Sequence, residues 1–278
     1  MEMVAVSKMR KSINRSISSR VYSRYALEIL VTLFKMRKVS HPLLCYGKGD
    51  KTLLVILASN KGLCGAYNTN VSKSVAKFKT QNENEIECIV VGKQAEKIAL
   101  RNKLKVIASF HEFGDEIDIE ETNSLEKVVI NEFVNSKKYK NVVIAYTEFV
   151  KQMLYRPTVK EIVPVSMKTT RNIIEEIEKD RETDRFDKKS MSPYQFEPSE
   201  QEVLDEMIPN LLSALISQIG LEALASEHSS RMFAMKNATD NADQLLEDLS
   251  LIYNKARQAN ITQEVAEIIA GAEALNIQ

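Results

Sequence analysis

Two stretches hold residue types that could do chemistry. The first is Asn60-Lys61-Gly62-Leu63-Cys64-Gly65, between the apolar run Leu53–Ala58 and a helix-forming stretch. A Gly-containing turn between strand and helix is where backbone N–H groups cradle phosphate. The spacing here is neither GxxxxGK[ST] nor GxGxxG, and Lys61 precedes the glycines instead of entering the helix. A structural tight turn is therefore favoured over a nucleotide site, and this loop alone does not make an enzyme. His41, His111 and His228 sit in no HExxH or triad-like context. No recurring Asp or Glu spacing suggests a metal cluster. Cys64 beside Gly65 reads as a small buried thiol before it reads as a nucleophile. No catalytic, cofactor-binding or metal-binding residue is expected.

The second stretch is helical. Ala223 to Ala242 reads ALASEHSSRMFAMKNATDNA, with small side chains at many positions, and Tyr253 to Ala274 mixes polar and apolar residues around the circumference. Such a surface suits a helix that meets other chains all round. After Pro209 no proline occurs, and Gly220 and Gly271 are the lone glycines of a run rich in helix formers. The simplest expectation is one helix from Ser199 to the end, reaching roughly 100 Å at 1.5 Å per residue. Ser199 and Glu202 have the spacing of a capping box. Leu204, Ile208, Leu211, Leu215 and Ile219, then Leu245, Leu249, Ile252 and Ala256, step by three and four, the narrow seam of a coiled coil.

The elements that must position this helix are read from the rest of the chain. Residues 1 to about 41 hold neither Gly nor Pro, and Val6, Met9, Ile13, Ile17 and Val21 recur at helical spacing. Between the two helices, Leu53–Ala58, Ile86–Val91 and Val142–Tyr146 read as buried strands. Helical stretches to about Lys79, at Lys93–Arg101 and at Ser124–Val134 alternate with them. That alternation implies a parallel sheet with helical crossovers. Val159–Val165, flanked by Pro157 and Pro164, reads as an edge strand. Residues 171–198 are charged and finally Pro-rich, a linker, with a helical turn or two expected at Met167–Lys179. The expected organisation is a coiled-coil helix at 1–45, an α/β domain at 50–170, the linker at 171–198 and the long helix at 199–278. The fold class is α/β: a long antiparallel coiled coil of terminal helices with an inserted Rossmann-like domain.

Composition excludes some function classes. Lys plus Arg equals Asp plus Glu at 38 each, so bulk charge selects no partner. Residues 1–38 are an exception, with nine cations against Glu2 and Glu28, a net charge of +7. A basic face can meet nucleic acid, lipid or an acidic protein. Cys45, Cys64 and Cys88 form no CxxC pair, which fits a reducing compartment. No apolar run reads as long enough to cross a bilayer, and no signal-peptide pattern opens the chain.

At the tail the sequence resembles the gamma subunit of F-type ATP synthase. That family's C-terminal signature is Ile/Val-Thr-x-Glu, two residues, an acid, three residues, Gly-Ala. Ile261-Thr262, Glu264, Glu267 and Gly271-Ala272 match it throughout. Ala234–Ala242, Tyr253–Ala259, Gly62–Asn68 and Met1–Arg10 are similar to the family as well, with Asn60 where an Asp is more usual. Met1–Ala5 lacks an N-cap signal and resembles an internal stretch of the family's first helix, which implies a start about six helical turns earlier.

The resemblance implies a non-catalytic rotor. It would be a central-stalk coiled coil within a hexamer of three alpha and three beta subunits. It would couple proton-driven turning of the membrane c-subunit ring to the catalytic sites on beta, with the epsilon subunit beside the α/β domain. Arg257 and Gln258 match the pair that contacts a loop of beta, with Thr262, Glu264 and Glu267 near it and Gly271-Ala272 in the surrounding collar. Lys8 and Arg10 match positions facing acidic loops of beta, and Arg231 and Lys236 lie on the facing stretch of the long helix. Tyr194 and Glu197 match the foot near the membrane ring and epsilon. The resemblance further implies no cofactor, no nucleic acid, and a peripheral place on the cytoplasmic face of a bacterial inner membrane or the matrix face of the mitochondrial one. The competing expectations are an α/β nucleotide-dependent enzyme with a helical oligomerisation arm and a basic nucleic-acid binder. The first lacks a phosphate loop or catalytic pair, and overall neutrality counts against the second.

Overall fold

A computed structural model describes residues 1–35, 41–111, 119–151, 154–165, 197 and 199–276. The element order is α1 (Glu2–Lys35), β1 (Lys51–Leu57), α2 (Tyr67–Gln81), β2 (Ile86–Val91), α3 (Lys93–Arg101), β3 (Lys105–Phe110), α4 (Ile119–Ser136), β4 (Tyr139–Lys151), β5 (Leu154–Val163) and α5 (Glu200–Asn276). The chain divides into two units, Met1–Met232 and Phe233–Gln278. The helical turns expected at Met167–Lys179, and most of the expected linker, lie outside the described residues.

In the first unit one sheet has the order β3-β2-β1-β4-β5. β1 pairs in parallel with β2 and β4, β2 in parallel with β3, and β5 antiparallel with β4. Apolar runs without alternation make β1 and β2 buried on both faces, and the period of two then sorts their side chains. Leu53, Val55 and Leu57 face a core shared with Leu125, Val129 and Phe133 of α4 and Leu204–Ile219 of α5. Leu54 and Ile56 face a second core with Val71 and Val75 of α2 and Ala95, Ile98 and Ala99 of α3. The sheet is therefore sandwiched, as parallel sheets require.

Several expectations change. β3 was not foreseen: Lys105–Phe110 is a short edge strand, partly buried, without the unbroken apolar run of its neighbours. β4 and β5 are longer than the apolar segments that marked them, because their hairpin continues past the core. Among the α1 residues whose burial is described, the buried stripe is Ala5, Met9, Ser12 and Ser16, while Val6 and Ile13 are half-buried and Ile17 and Val21 lie outside the described side chains. Met9 is buried as expected, and the small residues Ala5, Ser12 and Ser16 beside it permit closer packing than the apolar seam suggested. One 18-residue window of α5 does pass the length and hydropathy test for a membrane span. The apolar stretch Leu204–Ile219 is nevertheless spent on the sheet.

A tie crosses the amino end of the sheet. Glu87 on β2 is buried and accepts from the Tyr139 hydroxyl on β4 (2.6 Å), Lys51 on β1 (2.9 Å) and Lys105 on β3 (2.9 Å). Those bonds, first among them Tyr139's, hold the carboxyl down at about 2. Four strands thus share one carboxylate, a fully satisfied buried charge. Nearby, a Cβ on Gly47 would lie 2.0 Å from the Tyr139 carbonyl oxygen, so the chain crosses there only as glycine.

α5 starts as its sequence says. The Glu202 N–H donates to Ser199 Oγ (3.3 Å), and the Ser199 hydroxyl donates to Glu202 Oε1 (2.9 Å), so the reciprocal bond runs through the hydroxyl. Pro209 lies inside the helix. The second unit, Phe233–Gln278, is helical through Asn276, and Leu245, Leu249 and Ile252 are more than half exposed there.

Candidate functional site

The strand order reverses between β1 and β4, the place where open α/β sheets bind ligands at their carboxyl ends. The β1–α2 turn lies here, and several of its polar groups are bonded within the domain. The Ser59 N–H donates to Asn68 Oδ1 (3.2 Å), the Lys93 N–H to Asn60 Oδ1 (3.0 Å) and the Tyr67 N–H to the Cys64 carbonyl (3.2 Å). A phosphate cradle needs those N–H groups free and convergent. Ser59 Oγ lies 3.0 Å from Asn68 Oδ1 and donates to the Lys61 carbonyl (2.7 Å), and Asn68 Nδ2 donates to Cys64 Sγ (3.1 Å). The loop is a self-bonded structural turn.

What occupies the crevice is α5. The Ser226 hydroxyl donates to the Thr147 carbonyl at 3.0 Å, and the Ser230 hydroxyl to the Cys64 carbonyl at 2.6 Å. Arg231 reaches the Lys61 and Gly62 carbonyls at 3.4 Å and pairs with Glu227 at 2.7 Å. The Tyr67 hydroxyl donates to the Ala223 carbonyl at 3.3 Å. Burial, then the Glu227 charge, pushes the Tyr67 phenol well above its usual range, so it stays a donor. None of Tyr67, Ser226 and Ser230 was singled out from sequence. The signal available was the Ser-Glu-His-Ser-Ser run inside an otherwise apolar helix.

The residues singled out from sequence fall into three groups. Lys8 is half-buried and Arg10 exposed on α1, and Arg231 is drawn into the crevice. Lys236, Arg257, Gln258, Thr262, Glu264, Glu267, Gly271 and Ala272 are all exposed on the second unit. At about 100° per residue, Arg257, Glu264, Glu267 and Gly271 share one face, and Gln258, Thr262 and Ala272 share the adjoining one. Thr262 Oγ1 donates to the Gln258 carbonyl (2.8 Å), and Gln263 Nε2 to Glu267 Oε1 (3.0 Å). Ile261, Val265, Ile268 and Ile269 are about half exposed or more among them. A bare helix showing apolar and polar groups together is a surface for partners on several sides. Glu197 is exposed, and Tyr194 lies outside the described residues.

Known proteins resemble this chain over nearly its whole length. A family model described as ATP synthase matches residues 1–275. The chain is 32% identical to the ATP synthase gamma chain of Roseiflexus sp. (strain RS-1) over 99% of this chain and 91% of the relative. It is 34% identical to the gamma chain of Desulfitobacterium hafniense (strain DSM 10664 / DCB-2) over 99% of this chain and 92% of that one. Its fold is similar to a chain of the Tetrahymena thermophila mitochondrial ATP synthase central stalk and c-ring. That match has a TM-score of 0.60 and 22% identity over 86% of this chain and 97% of that one. A rotor chain of the Euglena gracilis mitochondrial ATP synthase matches with a TM-score of 0.57 and 18% identity, over 94% of this chain and 91% of that one. From its first helix to the surface of its last, the chain belongs to the ATP synthase gamma-chain family.

Proposed function

We propose that this chain is the non-catalytic central-stalk rotor subunit of a rotary ATP synthase, one copy serving three alpha and three beta subunits. The observation that carries this is the exposed, amphiphilic stretch of α5 from Lys236 to Ala272, in a chain that matches gamma chains over nearly its whole length. Identical catalytic sites on beta differ in affinity only if an asymmetric body touches each differently. Arg257 and Gln258 would make directional, breakable contacts with one beta subunit, supported by Thr262, Glu264 and Glu267, while Gly271 and Ala272 admit the collar closely. Lys8, Arg10 and Lys236 would face acidic loops of beta. Arg231 would join them with whatever donor capacity its carbonyl partners leave. Tyr194 and Glu197 would lie at the foot, toward the membrane c-subunit ring and epsilon. The non-catalytic assignment is supported by the crevice at the β1–β4 reversal, where Ser226, Ser230 and Arg231 of α5 bond the strand-end and loop carbonyls. Bacterial relatives support a peripheral place on the cytoplasmic face of the inner membrane.

Native mass spectrometry after co-expression with the cognate alpha and beta subunits tests this. The expected species holds one copy of this chain per three alpha and three beta. Absence of any such species, with the chain alone retaining ATP or NAD, overturns the rotor reading.

A further inference from the structure

The segment Leu221–Ser230 of α5 is buried over nearly its whole circumference, yet it carries Glu222, Ser226, Glu227, His228, Ser229 and Ser230. A helix buried all round is ordinarily apolar, because interior polar groups are costly unless bonded. Here the Ser226 and Ser230 hydroxyls donate to main-chain acceptors toward the carboxyl ends of β4 and β1. Ser226 takes the Thr147 carbonyl and Ser230 the Cys64 carbonyl, Arg231 closes on Lys61 and Gly62, and Tyr67 answers from α2 on the Ala223 carbonyl.

The receiving loop is shaped for this. Leu63 has φ 60° and Gly65 φ 54°, so two residues of the turn are left-handed. A leucine in that region is strained, and Leu63 is also 64% exposed, so no burial offsets the cost. The turn places the carbonyls of Lys61, Gly62 and Cys64 against α5, and the loop's internal bonds through Ser59 and Asn68 keep them there.

We infer that Tyr67, Ser226, Ser230 and Arg231 form a keyed joint fixing the axial position and rotational register of α5 on the α/β domain. A turning moment in the helix then passes into the domain through main-chain carbonyls. The apolar contacts of Leu204, Ile208, Leu211, Leu215 and Ile219 cannot do this alone. Hydrophobic burial is non-directional, and ridges repeating every three or four residues allow neighbouring packings of similar energy. Hydrogen bonds weaken steeply off line, and backbone acceptors cannot swing away as side chains do. The transmission role rests on the rotor reading above; the joint itself does not.

Two readouts test the proposal. In the full chain carrying Ser226→Ala with Ser230→Ala, amide exchange at Cys64–Tyr67 is expected to quicken about tenfold while β1 and β2 keep their protection. Unchanged exchange in the loop overturns the joint. In the complex with alpha, beta and the membrane ring, the same variant is expected to keep ATP hydrolysis within about twofold. Ions moved per ATP should fall about fivefold, and Ser230→Thr, which keeps a hydroxyl, should retain them. An unchanged ratio of ions to ATP overturns the transmission role. Should the alanine variant not fold, Tyr67→Phe removes one donor without changing the core, and the same two readouts decide. If the wild-type chain does not enter the complex, the rotor reading falls, and the exchange measurement still decides the joint.

Discussion

Glu87 ties four strands with one carboxylate, so its protonation should be felt by the whole sheet. Its folded value of about 2 lies below the ordinary 4.5, so the charged form favours the fold. That stability is complete above the ordinary value and is lost as pH falls from about 5 towards 2, on the order of 3 kcal/mol. Urea midpoints measured across that range should fall with pH in the wild type and stay flatter in Glu87→Gln, which starts about 2 kcal/mol lower at neutral pH. Gly92 makes a steric demand instead. Its φ is +94°, and a Cβ would lie 2.1 Å from the Ala58 carbonyl oxygen. Gly92→Ala should lower stability by about 2 kcal/mol or more, read from the same midpoints. Gly92 falls between the strand and the helix expected at Ile86–Val91 and Lys93–Arg101, so its place at a boundary was legible. The tie was not, because Lys51, Glu87, Lys105 and Tyr139 are far apart in the chain and meet only through strand order.

Elements with a strong local signal were read well, and those without were missed. The Ser199–Glu202 box marked the start of α5 to within a residue, because capping is local chemistry. Ser199→Ala should cost about 1 kcal/mol, visible as a lowered thermal midpoint with helical signal lost from the first turn. The apolar runs of β1 and β2 announced a doubly covered sheet. β3 carries less apolar pattern because it sits at an edge, and its presence depends on pairing with β2. The buried stripe of α1 fell on Ala5, Ser12 and Ser16 because close packing rewards small volume, which an apolar count overlooks. The joint on α5 was illegible for a related reason: its acceptors are carbonyls, which every residue has.

For the whole molecule, the family was legible from the tail, where the side chains from Lys236 to Ala272 face outward. Arg257→Ala should weaken association with the alpha and beta subunits about tenfold, roughly 1.4 kcal/mol, measured by titrating the assembled complex. The chain's own thermal midpoint should stay unmoved, since Arg257 is exposed on a helix without packing around it. A contact that served this chain's own fold would lower both. The crevice at the β1–β4 reversal shows the opposite economy: a place suited to a small molecule is filled by the protein's own helix, so the domain holds a shaft instead of a ligand.

The cysteines give the molecule a built-in label. Cys64 and Cys88 are buried, and burial pushes the Cys88 thiol up to about 12, while Cys45 stands exposed just before β1. A maleimide fluorophore should therefore mark the native chain at one known point without engineering. Polarised emission from that dye would turn orientation into a signal, and each step of the assembled machine could be counted one molecule at a time.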